Sequence, residues 1–339
     1  MMPVTIKDVA KDTKLAVSTI SKYMNGGNVR PENKLIIEEA VQRLGYRPNH
    51  LARGLRNSRS YIIGLLIPSL IGAHSGKMVA ALEAQMRKSD CFLTICCYQD
   101  SVELAKEYVD FLVEKGVDGI IVSPIQTKEN YLKSANDAGI PVVILEDTYG
   151  NEKCDVVQVD CASASYELVE CLIKKGHKRI AIIKGIEGMT TSRERLNGYL
   201  RVMEDYELPV NEEYLISGAY DYQSGYEGVQ KLWQLENKPT ALFITNYHMS
   251  VGALVAVRHL NIQIPEELSI VVFDDMELST ITNCRMTAVR QPMEEIMEQA
   301  CEFIERRLSG DFRNYPEKKR IKAKIIYRNS VVQKDDYNE

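Results

Sequence analysis

Seven short, uninterrupted apolar runs constrain most of this chain: 61–67 (YIIGLLI), 91–97 (CFLTICC), 118–122 (DGIIV), 141–145 (PVVIL), 179–183 (RIAII), 241–245 (ALFIT) and 268–273 (LSIVVF). Successive strand residues point to opposite faces, so a run with almost no polar member is buried on both. Between the runs lie helical segments, expected near 76–88, 102–115 and 128–138. A glycine precedes the strand in both KGVDGIIV (115–122) and KKGHKRIAII (174–183). Repeated βα units place helices on both faces of a parallel sheet, with right-handed crossovers. Two sets of such units imply two doubly wound parallel-sheet lobes. A last run, KAKIIYRNSV (322–331), is expected to return and close the C-terminal lobe.

Residues 5–56 follow a different rule: TIKDVAKDTKLAVSTISKYMNGGNVRPENKLIIEEAVQRLGYRPNHLARGLR. Ile6, Val9 and Ala10 fall on one helical face. A break at Lys14-Leu15-Ala16 precedes a second short helix from about Val17 to Met24, which sets Ile20 and Tyr23/Met24 inward. Two short helices joined by a three-residue turn form a helix-turn-helix, its second helix sized for a major groove. A third helix opens at Pro31, with Glu32 in its first turn, and is capped by Gly45. It is expected to bury Leu35, Ile36, Ala40 and Leu44.

The motifs T-I-x-D-V-A, V-S-T-I-S-K-Y-x-N and L-G-Y-x-P-N-x-x-A-R-x-L resemble the DNA-binding headpiece of the lactose-repressor (LacI/GalR) family, gap-free over the first sixty or so residues. The resemblance implies that Val17, Ser18 and Lys22 face base edges, while Thr5, Thr19, Ser21 and Asn25 hold phosphates or pin the helices. Departures are Lys14 for the usual turn glycine, Ala16 for a serine cap, and Lys22 for arginine. Lysine is a point charge without arginine's planar fork, which weakens base preference at that position. The segment NHLARGLRN (49–57) reads as a linker: Asn49 can cap a short helix carrying Ala52, Arg53, Leu55 and Arg56, too short to be stable alone. By the same resemblance it enters a minor groove and Leu55 is a wedge between base pairs; the plainer alternative is packing of Leu55 on the body. The rest is similar to the family's periplasmic-binding-protein-like body. The expected division is 1–48 for the DNA-binding domain, 49–60 for hinge helix and linker, and 61–339 for the effector-binding domain. That domain holds an N-lobe (about 61–160 and 291–321) and a C-lobe (about 161–290 and 322–332).

Ligands in such sheets bind beyond the carboxyl ends of the strands. That rule selects the loop after 67, Ser123, Asp147, the stretch 185–195, Asn246 and Asp274/Asp275. The family resemblance adds Arg195 as the grip on hydroxyl or carboxylate groups, Tyr220 as a stacking aromatic, and Asn246, Asp274 and Gln291 as polar pocket residues. Asp274 and Asp275 could instead cap the next helix, and Tyr220 could be core. Where many relatives read N-P-F-F, this chain has Gly72-Ala73-His74-Ser75; His74 either donates to the ligand or solvates the cleft mouth. Tyr247 stands for the usual acidic residue and Asp147 for the usual arginine. An aromatic platform with Asp, Asn and Arg suits a polyol, so a sugar is the expected effector, with a nucleoside or purine as the alternative.

Charge separates the two parts. Residues 1–60 hold eleven Lys/Arg against five Asp/Glu, and the remainder 31 against 42, so a basic head sits on an acidic body. That asymmetry points to a polyanion for the head alone. The eight cysteines form no C-x-x-C pair and read as reduced, mostly buried thiols. No dinucleotide fingerprint, P-loop or nucleophile motif accompanies the α/β pattern, so neither an enzyme nor a cofactor is expected. A solute-binding protein, which would share the body, needs a secretory signal that the N-terminus lacks. The expectation is a cytoplasmic regulator without a membrane span, binding double-stranded operator DNA as a homodimer. The terminal QKDDYNE carries no leucine heptads, so dimers rather than tetramers are expected.

Overall fold

The computed structural model describes residues 4–24, 27–46, 59–71, 73–127, 129–146, 153–275 and 284–334. The chain divides between Ser60 and Tyr61 into a head and a body. The expected site residues Asn25, Asn49, Ala52, Arg53, Leu55 and Asp147 lie outside the described residues.

The head has three helices, α1 (Ile6–Thr13), α2 (Val17–Met24) and α3 (Pro31–Leu44). Thr5 opens α1: its N–H and hydroxyl both donate to the Asp8 carboxylate, at 2.8 and 2.7 Å. Those two bonds, the hydroxyl's first, hold the Asp8 carboxyl below its ordinary pKa. α1 ends at Lys14, whose φ of 55° is left-handed, a conformation that favours glycine. α3 begins on Pro31 and stops at Gly45, with φ 62°. Val9, Ile20, Ile37 and Ala40 are fully buried, ringed by Ile6, Leu15, Tyr23, Val41 and Leu44. The expected inward face of α3 is corrected here, because Leu35 and Ile36 are 62% and 44% exposed. Three consecutive apolar residues permit more than one helical phase. The phase that meets α1 and α2 is Ile37, Ala40, Val41 and Leu44, at three- and four-residue spacing. Polar ties close the bundle: Arg43 to Asp12 (2.5 Å) and the Tyr23 hydroxyl to Glu38 (2.5 Å).

The body alternates strands and helices: β1 (Ile62–Ile67), α4 (Ala73–Lys88), β2 (Phe92–Cys97), α5 (Val102–Glu114), β3 (Gly119–Val122), α6 (Lys133–Asp137), β4 (Val142–Leu145) and β5 (Asp155–Val159). Then come α7 (Cys161–Ile173), β6 (Ile180–Lys184), α8 (Thr190–Asp205), β7 (Leu215–Ser217), α9 (Tyr222–Gln234), β8 (Ala241–Ile244), α10 (Tyr247–His259) and β9 (Ser269–Phe273). The chain ends with β10 (Thr287–Arg290), α11 (Met293–Leu308), β11 (Lys318–Ile321) and β12 (Lys324–Ile326). Two six-stranded sheets result, ordered β11-β5-β4-β3-β1-β2 in the N-lobe and β12-β10-β9-β8-β6-β7 in the C-lobe. The chain passes between lobes three times, after β5, after β10 and after β11.

The expected doubly wound lobes are thus present, with corrections in detail. The C-lobe sheet is not wholly parallel, because β12 runs antiparallel to β10, pairing Ala288 with Ile326 and Arg290 with Lys324. A strand reached by a two-residue crossing from β11 has no helix to turn it back, so it enters the second sheet in reverse. The 128–138 helix shrinks to the five residues of α6. All eight cysteines are free, but only Cys96, Cys154 and Cys161 are buried and the other five are half-buried.

Two buried polar centres fasten the frame. Arg307, near the end of α11, forks onto Asp155 at the start of β5 (2.8 and 2.9 Å) and also reaches Glu317 at 2.9 Å. In the C-lobe His177, 1% exposed, lies between the Thr240 hydroxyl (3.0 Å) and the Val332 carbonyl (3.1 Å).

Candidate nucleic-acid interface and ligand cleft

On α2, Ile20 faces the core while Val17, Ser18 and Lys22 are exposed. Positions i, i+1 and i+5 share one side of a helix, so a methyl-bearing, a hydroxyl and a cationic side chain stand together on a projecting face. Thr19 and Ser21 flank it, half-buried. Thr5 is exposed, yet its hydroxyl proton is committed to Asp8.

In the body, strand C-termini of the two sheets face each other across a cleft. Arg195 comes from α8 and is only 5% exposed. Its Nη1 donates to the Thr245 carbonyl at 2.6 Å, and its guanidinium stacks 3.8 Å from the Phe273 ring centre. Among the described residues its Nε finds no hydrogen-bond acceptor. Although burial opposes the charge, the net effect of its surroundings raises the Arg195 pKa, so the guanidinium stays charged. The space beside it is about 20 Å³, walled by Glu146, Gln158, Cys161, Thr191, Glu194 and Gln291. That admits one water molecule, whereas sugar-sized ligands need hundreds of Å³. Burial also pushes the Cys161 thiol up to about 12.

Asp274 follows β9 with φ 81°, a strained conformation for a side-chain-bearing residue, and is 6% exposed. Its carboxylate accepts from Gln291 Nε2 at 2.6 Å. Asp275 binds Arg290 (2.6 Å) and Arg328 (2.8 Å), and its carbonyl accepts from Lys77 of α4 at 3.2 Å, across the lobes. His74, Lys77, Asp274, Asp275, Arg290 and Gln291 share a second hollow of about 700 Å³ between α4 and the start of α11.

The remaining expected residues separate. Tyr220 packs on the C-lobe core, with its hydroxyl 3.5 Å from Thr191 Oγ1. Its ring lies so close to Gly185 that a Cβ there would come within 2.1 Å of it. Burial raises the Tyr220 pKa against the pull of Arg195. Asn246 caps α10, its side-chain oxygen accepting from His248 N (2.8 Å) and Met249 N (3.4 Å). The helix weighed for capping by Asp274 and Asp275 would begin within residues 276–283, which lie outside the described residues. Ser123 accepts from the Tyr98 hydroxyl through its carbonyl at 3.0 Å and lines neither space. Gln158 and Cys161 were missed because β5 was missed; the strand-end rule would have named both once DVVQV was recognised as a strand.

The model for lacI-family bacterial regulatory proteins matches residues 5–49, and that for a periplasmic binding protein-like domain matches 169–331. Catabolite control protein A of Priestia megaterium is 32% identical over 299 residues, covering 87% of this chain and 90% of the relative. The chain belongs to the lacI family. It is therefore a DNA-binding transcriptional regulator. The HTH-type transcriptional repressor PurR of Actinobacillus pleuropneumoniae serotype 3 (strain JL03) is 28% identical over 329 residues, 96% of this regulator and 98% of that one. The regulator shares its fold with the lac repressor dimer bound to operator and the anti-inducer ONPF (TM-score 0.82, 20% identity, 98% and 100% of the two chains). The same holds for the transcriptional regulator CelR in its cellobiose complex (TM-score 0.74, 22% identity, 96% and 99%).

Proposed function

We propose that this regulator is a cytoplasmic homodimeric repressor that reads a pseudo-palindromic operator and is controlled by a small effector, a sugar, bound between its lobes. The carrying observation is the α2 face: Val17, Ser18 and Lys22 stand exposed together, backed by the buried Ile20. A helix so presented fits a major groove, where Lys22 can donate to guanine acceptors, Ser18 to either partner, and Val17 can meet a thymine methyl. Two heads in a symmetric dimer require inverted half-sites. In this reading Thr5, Thr19, Ser21 and Asn25 serve phosphates and helix packing, and Asn49, Ala52, Arg53 and Leu55 form the minor-groove segment.

The cleft supports the effector. The buried Arg195 with an N–H that finds no acceptor among the described residues, the Asp274–Gln291 pair, and Tyr220 beside Thr191 supply a cation, a carboxylate, an amide and an aromatic face. His74, which lines the larger hollow, joins the proposed lining at its margin. A ligand held by both lobes shifts their balance only by its differential affinity for the two arrangements. β1, which the chain enters directly from the linker, belongs to the N-lobe, so lobe position feeds directly into the linker. Sugar specificity is supported by the donor set and by the cellobiose complex of the fold relative. A purine is the second reading, supported by the relatives named as PurR.

Selection of binding sites from random DNA tests the operator reading. Inverted repeats are expected, with Lys22→Ala and Ser18→Ala altering base preference and Thr5→Ala weakening all sites alike. Recovery of sites without inverted symmetry would refute it. A thermal-shift panel of sugars, sugar phosphates, nucleosides and purines then identifies the effector class.

A further inference from the structure

Arg320 lies in β11, the edge strand of the N-lobe sheet, shortly before the chain crosses to the C-lobe. Its guanidinium is held from both sides of the cleft. On the N-lobe side, with the Gln158 amide turned so that its nitrogen donates to the Glu146 carbonyl (2.9 Å), the amide oxygen accepts from Arg320 Nε at 2.7 Å and Nη2 at 3.1 Å. On the C-lobe side, Nη2 donates to Glu194 of α8. Nη1 stands 3.6 Å from Asp160 in the crossing between β5 and α7. The Glu194 side chain is 15% exposed and that of Arg320 51%, so one end of the pair is shielded and the other meets solvent. Another cross-lobe ion pair among the described residues, Lys324–Glu295, is 4.0 Å long and largely exposed.

Gln158 and Glu194, both gripped by Arg320, are also walls of the space beside Arg195, and that space is about 20 Å³. A sugar-sized molecule therefore enters only if the two walls separate, and their separation breaks the Arg320–Glu194 bond. We propose that Arg320 and Glu194 form a cross-lobe tether that sets the resting balance between closed and open lobes and that ligand entry must work against. Arg320 is thus a positioning residue: it holds two cleft walls in place. A planar guanidinium fork suits this role, because it satisfies an amide and a carboxylate at once with little further ordering. The tether itself rests on geometry alone; its regulatory consequence rests on the cleft being the effector site.

The test uses full-length protein without DNA or effector. Dyes attached through unnatural amino acids at the exposed positions Lys106 (N-lobe) and Glu236 (C-lobe) report lobe separation by single-molecule energy transfer. Arg320→Gln and Glu194→Gln are each expected to raise the ratio of open to closed molecules roughly 2- to 5-fold. The double variant should open no further than the more open single variant, because both singles break one bond. Raising KCl should open the wild type and leave the variants unchanged. Arg320→Lys, which keeps the charge and loses the fork, should fall between and serves if a neutral variant fails to fold. Unchanged lobe separation in both single variants, or additive opening in the double, overturns the tether. Neither result touches the cleft as an effector site. Conversely, a tether that behaves as expected, in a protein whose melting no small molecule shifts, counts against the effector reading alone.

Discussion

Removing Asp155 isolates what holds the N-lobe together. Its carboxylate accepts three bonds: Arg307 Nε at 2.8 Å, Arg307 Nη2 at 2.9 Å and Glu317 N at 2.8 Å. Both ionic side chains are 1% exposed. Hydrogen bonding to Asp155, ahead of Glu317, holds the Arg307 guanidinium above its ordinary pKa. Breaking a buried pair by deleting one member costs about 3–5 kcal/mol, because the remaining charge is left in a poor solvent. In Asp155→Ala the arginine keeps Glu317 at 2.9 Å and the Asp311 carbonyl at 2.5 Å, which selects the low end, about 3 kcal/mol. Asp155→Asn keeps the shape and one acceptor oxygen and should cost roughly half of that. Replacing both ions, as Asp155→Leu with Arg307→Met, removes the stranded charge and should return stability to within about 1 kcal/mol of wild type. Urea unfolding followed by two probes reads this out. Far-UV circular dichroism sees the whole chain, whereas the single tryptophan, Trp233, packs on the C-lobe core. An N-lobe lesion should therefore move the dichroism midpoint ahead of the fluorescence midpoint. The reasoning fails if Asp155→Ala costs under about 1 kcal/mol, or if the double variant is less stable than the single.

Three further outcomes are expected. Lys14→Gly should stabilise the head by about 1 kcal/mol, since a φ of 55° strains a side-chain-bearing residue; slower amide exchange in α1–α3 of the full chain checks it. Burial, only partly countered by the Val332 bond, lowers the His177 pKa to about 4 from 6.5. The unfolded chain then takes up the proton more readily than the folded one. Stability is full above pH 6.5 and falls by up to about 3 kcal/mol as pH drops toward 4, a slope that His177→Gln should flatten in melting curves. Ile37→Ala should cost about 2–5 kcal/mol of head stability, whereas Ile36→Lys should change it by no more than about 0.5, measured by the same exchange experiment.

What could be read in advance followed apolar runs, which mostly but not always mark burial: β2, expected to be buried on both faces, is an edge strand with only Cys96 buried. β1, β3, β4, β6, β8 and β9 are covered on both faces, so their apolar runs stand out in the chain. β7 and β11 are edge strands, with only one of their combined seven residues buried, and burial left no such mark on them. Like β10, β5 is interior and still went unrecognised. Its first residue, Asp155, is an ion bound to Arg307, and its fourth, Gln158, turns toward Arg320, so polar side chains break the run at the places where the strand has other work. The same holds in the head, where Leu35, Ile36 and Ile37 offer equivalent phases and only contact with α1 and α2 selects Ile37. The cleft shows the converse. Arg195 and its neighbour Glu194 lay within a stretch named by strand ends alone, yet Gln158, which walls the same space, comes from β5 of the other lobe. Their proximity depends on how far the lobes have closed, a tertiary quantity without local signature. In a protein whose proposed control is the spacing of two lobes, the controlling contacts are therefore the ones a linear pattern conceals: a strand without an apolar run, and an arginine whose partners lie 126, 160 and 162 positions away in the chain.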